Sequence, residues 1–148
     1  MYQRILIAID GSELSAKGLQ QGLALAAALG AEVDIVTASE PWAMGMYDAM
    51  GWSVGYEASP EYRQDREAGA QTILAPALAA AAATGVTAHG RHVLDRYAAE
   101  GIIDMAVACN SDLIVMTSHG RRGMSRVLLG SQTAEVLTNS QIPVLVIR

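Results

Sequence analysis

The sequence predicts an α/β fold in which a five-stranded parallel sheet is covered by helices on both faces. Short apolar runs rich in β-branched residues recur along the 148-residue chain, and stretches with helical spacing of apolar residues alternate with them. Such alternation is typical of a parallel sheet, because each crossover helix returns the chain to the start of the next strand. We expect a single domain over residues 1–148, with the strand order 3-2-1-4-5.

The first half of the chain is predicted to hold two strands and two helices. The run YQRILIAID at residues 2–10 indicates a strand buried on both faces. Ser12 suits the N-cap of a first helix, which Gly30 ends. Residues 31–39 form the second predicted strand, and residues 61–84 have the pattern of a long helix.

The second half continues the alternation. Residues 86–94 predict a third strand, and Asp95 is expected to cap a third helix. The apolar run at 112–118 indicates the fourth strand, which leads into a glycine-rich loop. A last helix over 130–139 and a fifth strand over 142–147 complete the prediction.

Residues 40–60 fit no regular element and contain both tryptophans of the chain. Aromatic and methionine side chains at a loop tip are enriched in interfaces and lids. They could equally fold back over the sheet as a small additional core. The sequence leaves both interpretations of this Trp/Met-rich segment open.

Composition narrows the functional classes. Hydrophobic residues make up 51% of the chain and charged residues 17%, which favours a compact fold over disorder. A net charge of −5 argues against general nucleic-acid binding, which needs a basic face. No apolar run is long enough to cross a membrane, and no signal-peptide pattern opens the chain. The single cysteine, Cys109, fits a reducing compartment, so we expect a cytoplasmic protein.

The loop TSHGRRGMSRVLLGS at residues 117–131 is the strongest candidate for a binding site. A glycine-rich turn before a helix N-terminus presents several backbone N–H groups to an anion, here around Gly130 and Ser131. The alternative is a simple turn at the start of a helix with solvated arginines. The loop is not a P-loop, because the only lysine, Lys17, lies inside the first predicted helix.

The order of this loop resembles the universal stress protein family, whose members carry G-x2-G-x9-G-[ST] after the fourth strand. Here nine residues separate Gly120 from Gly130-Ser131, and the chain ends in IPVLVIR, like the family's final strand. The stretches ILIAIDGSE and DLIVMTSHGRRG are similar too, and the resemblance covers about residues 1–39 and 86–148. One position departs from the pattern, since Thr117 stands where the family has its first glycine.

The resemblance implies an adenine nucleotide α-hydrolase-like fold that dimerises and binds ATP, with Mg²⁺ held through the phosphates. It places Thr37 and Ala38 against the base and Gly130, Ser131 and Gln132 at the phosphates. From the residues alone, Asp10 could equally be an acid that caps the first helix. The full set of nucleotide-site residues implied by the resemblance is Ile9, Asp10, Thr37, Ala38, Met116, Thr117, His119, Gly120, Arg121, Arg122, Gly123, Gly130, Ser131, Gln132 and Thr133.

Other reactive side chains are interpreted as structural. Ser118 precedes His119, but adjacent residues rarely form a nucleophile–base pair, and no G-x-S-x-G elbow is present. His89 and His92 are three apart on a predicted strand, so they face opposite sides and make a poor metal pair. We expect one at the surface and one in the core. Cys109 is expected to be a small core residue.

The fifth strand predicts a partner. In the order 3-2-1-4-5 it is an apolar edge from Pro143 to Ile147, and pairing with the same strand of a second chain would cover that edge. We therefore expect a homodimer.

The leading functional hypothesis is a nucleotide-binding stress or regulatory protein with at most slow ATP hydrolysis and an unknown regulatory partner. The alternative is a relative that has lost nucleotide binding and acts as a dimeric interaction module. A nucleotide-activating enzyme is a third class, but the SGG signature is missing where Asp10-Gly11-Ser12 stands.

Overall fold

The computed structural model describes residues 1–41, 59–119 and 129–148. In these ranges, five parallel strands alternate with four helices. The strands are β1 (Arg4–Ala8), β2 (Glu32–Ser39), β3 (Ala88–Leu94), β4 (Leu113–Thr117) and β5 (Val144–Ile147). The helices are α1 (Glu13–Leu29), α2 (Pro60–Ala83), α3 (Ala98–Ala108) and α4 (Ser131–Asn139).

The strands form one sheet in the order β3-β2-β1-β4-β5, which confirms the predicted fold class and strand order. The registers align Ile7 with Ile35 of β2 and with Val115 of β4, so β1 lies at the centre. A central strand in a parallel sheet is covered on both faces, which explains why Ile5, Leu6 and Ile7 are all fully buried.

Two apolar cores lie on opposite faces of this sheet. One contains Ile5, Ile7 and Ile35 with the buried faces of α1 and α2. The other contains Leu6 and Val36 with α3 and residues of α4. Alternate residues of a strand therefore pack into different cores, because successive side chains of a β-strand point to opposite faces of the sheet.

The predicted caps were correct for the first helix and wrong for the third. Ser12 caps α1 by accepting a hydrogen bond from the Ser15 amide, and Gly30 ends it with φ of 66°. Asp95 does not cap α3, whose N-cap is Tyr97. Instead Asp95 has φ of 54° and accepts a 2.6 Å hydrogen bond from the Tyr62 hydroxyl of α2. The Asp95 carboxylate thus bonds to a side chain of α2, although the sequence predicts that it caps α3.

Cys109 and the two histidines of β3 have the burial that the sequence predicts. Cys109 is buried, and burial raises the pKa of its thiol, as expected for a core residue. His89 is exposed, whereas the His92 side chain is largely buried. The predicted segment 40–60 falls mostly on residues 42–58, which lie outside the described residues. Among the helices that are described, none is long and apolar enough to cross a membrane.

Candidate functional site

The carboxyl ends of β1, β2 and β4 bring the predicted site residues to one edge of the sheet. Ligands of parallel sheets collect at this edge, where the strand order reverses. The residues found there are Ile9, Asp10, Thr37, Ala38, Met116, Thr117 and His119, together with Gly130, Ser131, Gln132 and Thr133 at the start of α4. Gly120, Arg121, Arg122 and Gly123 lie outside the described residues, so their predicted roles have no structural description.

The start of α4 is attached directly to the end of β4. The Gly130 amide donates a 2.8 Å hydrogen bond to the carbonyl of Ser118. The Thr133 hydroxyl donates a buried 2.8 Å hydrogen bond to the carbonyl of Thr117. These two bonds satisfy consecutive carbonyl groups of the strand end and hold the helix N-terminus beside it.

Within the described residues, no side chain caps the N-terminus of α4. Its N-cap is Gly130, which has no side chain that could accept a hydrogen bond from the first turn. A Cβ at Gly130 would lie 3.0 Å from the Ser118 carbonyl oxygen, so the close approach favours glycine. Backbone N–H groups at such a position, with the positive end of the helix dipole, attract anions.

Thr117, the departure from the family pattern, directs its side chain into the protein. Its Cγ2 faces Gly18 of α1, and its hydroxyl donates a 2.9 Å hydrogen bond to the His119 carbonyl. The whole residue is only 7% exposed. Its extra carbon atoms therefore pack beneath α1. Sequence reasoning missed Gly18, although a glycine inside a predicted helix is a signal of close packing.

Asp10 participates in the turn between β1 and α1. Its Oδ1 accepts a 2.9 Å hydrogen bond from the Ser12 amide, while Ser12 itself caps the helix. Ser12 is therefore the N-cap of α1, and the Asp10 carboxylate bonds to the amide of that residue. Its role in a nucleotide pocket stays a prediction.

Gln132 has a partner of a different kind. Its side-chain oxygen accepts a 2.9 Å hydrogen bond from the Ala99 amide in the first turn of α3. This contact joins the N-terminal ends of α3 and α4. Contact between Gln132 and a phosphate stays a prediction.

The side chains of Ser118 and His119 lie within hydrogen-bond distance of each other. The Ser118 Oγ lies 2.9 Å from His119 Nδ1. Both groups sit at the strand end, but His119 Nε2 is buried and has no hydrogen-bond partner in the part of the chain that is described. No carboxylate orients this imidazole there, so the pair lacks the third member of a hydrolytic triad.

The described ranges contain no group of three or more His, Cys, Asp or Glu side chains that could hold a metal ion. The groups at this edge include backbone N–H groups, the hydroxyl groups of Ser131 and Thr133, the Gln132 amide, the His119 imidazole and the Asp10 carboxylate. Such an arrangement is suited to binding a polar anionic ligand.

Comparison with known proteins agrees with this architecture. A sequence model described as the universal stress protein family matches residues 1–148. A universal stress protein of Thermus aquaticus is 32% identical over 148 residues, covering all of both chains. The structure of universal stress protein UspA from Lactobacillus plantarum superposes with a TM-score of 0.81 at 21% identity, covering 99% of this chain and 98% of that one.

A further solved structure is of a universal stress protein in complex with cAMP. It has a TM-score of 0.69 and 27% identity, covering 99% of this chain and 97% of that one. The family model covers the whole chain, and the fold agrees with the solved structures. The chain belongs to the universal stress protein family.

Proposed function

We propose that this protein is a cytoplasmic, homodimeric regulator of the stress response that binds ATP at the carboxyl edge of its sheet. The observation that carries the proposal is the N-terminus of α4, whose N-cap is a glycine without a capping side chain and which is held beside the end of β4. A triphosphate would accept hydrogen bonds from its first N–H groups and from the Ser131 hydroxyl. Mg²⁺ would be bound through the phosphates.

Two further observations support this proposal. The side chain of Thr117 packs under α1, so the loss of the family's first glycine leaves the strand end unobstructed by that side chain. A 27%-identical structure of the family contains cAMP, which carries the same adenosine moiety as ATP.

The test is to titrate purified protein with ATP, with and without Mg²⁺, and to measure binding by isothermal titration calorimetry. Ser131→Asp places a negative charge at the first position of α4, where a carboxylate favours the helix but repels a phosphate. We expect at least about tenfold weaker ATP binding with an unchanged or higher Tm. Gln21→Glu, an exposed change in α1 with the same charge difference, is the matched control and should bind like wild type.

Two results would contradict the proposal. If the wild-type protein does not bind ATP at millimolar concentration, the proposed ATP binding is wrong. A dimer that does not bind ATP would favour the alternative, a dimeric interaction module. Equal ATP affinity in Ser131→Asp and Gln21→Glu would move the phosphate site away from α4.

The dimer part of the proposal rests on β5. This strand is an edge of the described sheet, paired with β4 on one side only, and Leu145 on it is 38% exposed. Leu145→Lys should convert the dimer to a monomer in light scattering, because a charge would be buried between the paired edges. Val107→Lys, on an exposed position of α3, should remain dimeric. A dimeric Leu145→Lys would place the interface elsewhere.

A further inference from the structure

A second cluster of polar side chains lies near the carboxyl ends of β2 and β3. Ser39 is the last residue of β2, His92 is near the end of β3, and Glu67 belongs to α2. The Ser39 Oγ is 2.7 Å from His92 Nε2, and His92 Nδ1 is 2.7 Å from Glu67 Oε2. A hydroxyl, an imidazole and a carboxylate are therefore linked in series, through opposite nitrogen atoms of the ring.

The fold holds these three residues together through the sheet register. Thr37 is aligned with His92 and Ser39 with Leu94, so the Ser39 hydroxyl and the His92 ring lie on adjacent strands. Helix α2 packs against β3 and brings Glu67 over the ring. The Ser39 carbonyl also accepts a 3.3 Å hydrogen bond from the Arg96 amide, which fixes the end of the strand.

The hydrogen-bond pattern determines which nitrogen of His92 carries the proton. Hydrogen bonds from Gln71 and from His92 lower the pKa of the Glu67 carboxyl, so it is ionised at neutral pH. An ionised carboxylate can only accept, and Nδ1 must then donate. In the neutral imidazole, the lone pair of Nε2 therefore faces the Ser39 hydroxyl.

This order of groups is the order that activates a serine hydroxyl in hydrolytic enzymes on unrelated folds. We propose that Ser39, His92 and Glu67 form a catalytic triad that accepts acyl groups from small activated carboxylic esters. Ser39 Oγ attacks the ester carbonyl carbon, and His92 Nε2 takes the hydroxyl proton. The bond from the carbonyl carbon to the leaving oxygen then breaks, and the leaving alcohol takes that proton. Water releases the acyl group from Ser39 as a carboxylic acid by the same route.

Burial limits the substrates of this site. The His92 side chain is 8% exposed and Ser39 is half-buried, so we expect small acyl groups such as acetyl to react most readily. The Glu67 side chain is 54% exposed, and water therefore weakens its hold on the imidazole. We expect acylation of Ser39 to be easier to detect than sustained turnover.

The decisive experiment treats the full chain, without nucleotide, with a fluorophosphonate probe. The probe's phosphorus bonds to the attacking serine oxygen as fluoride leaves. We expect peptide mass spectrometry to locate the label on Ser39. His92→Gln should slow labelling by at least about 100-fold, the usual contribution of a general base. His89→Gln, on the exposed position of the same strand, is the matched control and should label at the wild-type rate.

Two other measurements guard against effects of misfolding. Glu67→Gln changes a half-exposed position and should keep the wild-type circular dichroism while slowing labelling by about tenfold or more. With p-nitrophenyl acetate, wild type should show an acetyl group on Ser39 that is missing from Ser39→Ala. Absence of label in folded wild type, label on Ser118 instead of Ser39, or equal rates in His92→Gln and His89→Gln would overturn the proposal. None of these outcomes depends on ATP binding.

Discussion

The contact between Gly18 and Thr117 gives the most quantitative prediction. A Cβ on Gly18 would lie 2.7 Å from Thr117 Cγ2, far inside the about 3.5–4.0 Å at which carbon atoms attract. Thr117 cannot easily move aside, because it is β-branched, buried and bonded through its hydroxyl to the His119 carbonyl. Gly18→Ala should therefore overpack the junction between α1 and β4.

The magnitude follows from two opposing effects. Overpacking a core costs about 1–3 kcal/mol, whereas replacing glycine by alanine inside a helix contributes about 1 kcal/mol of stability. Gly18→Ala should therefore lower the free energy of unfolding by about 0–2 kcal/mol in wild type. Thr117→Ser removes Cγ2 and keeps the hydroxyl. In that background the same change should raise the free energy of unfolding by about 1 kcal/mol.

The assay is urea denaturation of the four proteins of this double-mutant cycle, followed by far-ultraviolet circular dichroism. The expected coupling free energy is about 1–3 kcal/mol. Gly69→Ala is the matched control, because a Cβ there meets no atom within 4 Å in the described part of the chain. It should stabilise both backgrounds equally. A coupling between Gly18 and Thr117 below about 0.5 kcal/mol would refute the packing argument.

Two further predictions concern polar groups in the interior. Asp34 is fully buried and forms ion pairs with Arg91 at 2.8 Å and with Arg4 at 3.4 Å. Asp34→Asn should therefore lower the free energy of unfolding by about 2–3 kcal/mol. This loss is smaller than that expected on breaking a fully buried ion pair, because both arginine side chains are over a third exposed. A shift of the urea midpoint worth less than about 0.5 kcal/mol would contradict this. Burial raises the pKa of the Tyr62 hydroxyl above its ordinary value of 10.0, and the hydrogen bond to Asp95 raises it further. The stability that this hydroxyl contributes is therefore complete below pH 10 and declines as the pH rises further. Tyr62→Phe should cost about 1 kcal/mol at pH 7 and reduce the loss of stability that begins above about pH 10. An unchanged alkaline profile of the urea midpoint would contradict the assignment.

Most of the fold could be predicted from the sequence because it depends on local patterns. The five strands and four helices follow from runs and periods of apolar residues, and the caps of α1 follow from Ser12 and Gly30. The error at Asp95 has a tertiary cause, since the hydroxyl of Tyr62, 33 residues away, takes its carboxylate. Local preference cannot anticipate such a partner.

The meeting of the predicted site residues at one end of the sheet could be predicted from the sequence. Parallel strands place their carboxyl ends at one edge, so residues after β1, β2 and β4 had to meet. The side-chain directions were not predictable. Thr117 packs toward Gly18, and Gln132 bonds to the Ala99 amide, because neighbouring elements offer those partners.

The sequence by itself determined the family, the alternation of strands and helices, and the end of the sheet at which the predicted site residues meet, because these depend on motif order and on the period of apolar residues. Only the tertiary structure decided which distant polar side chains meet. Asp34 reaches two arginines on neighbouring strands, and Ser39 reaches His92 and then Glu67. These contacts depend on strand register and helix packing. Neither is encoded within any short stretch of the chain.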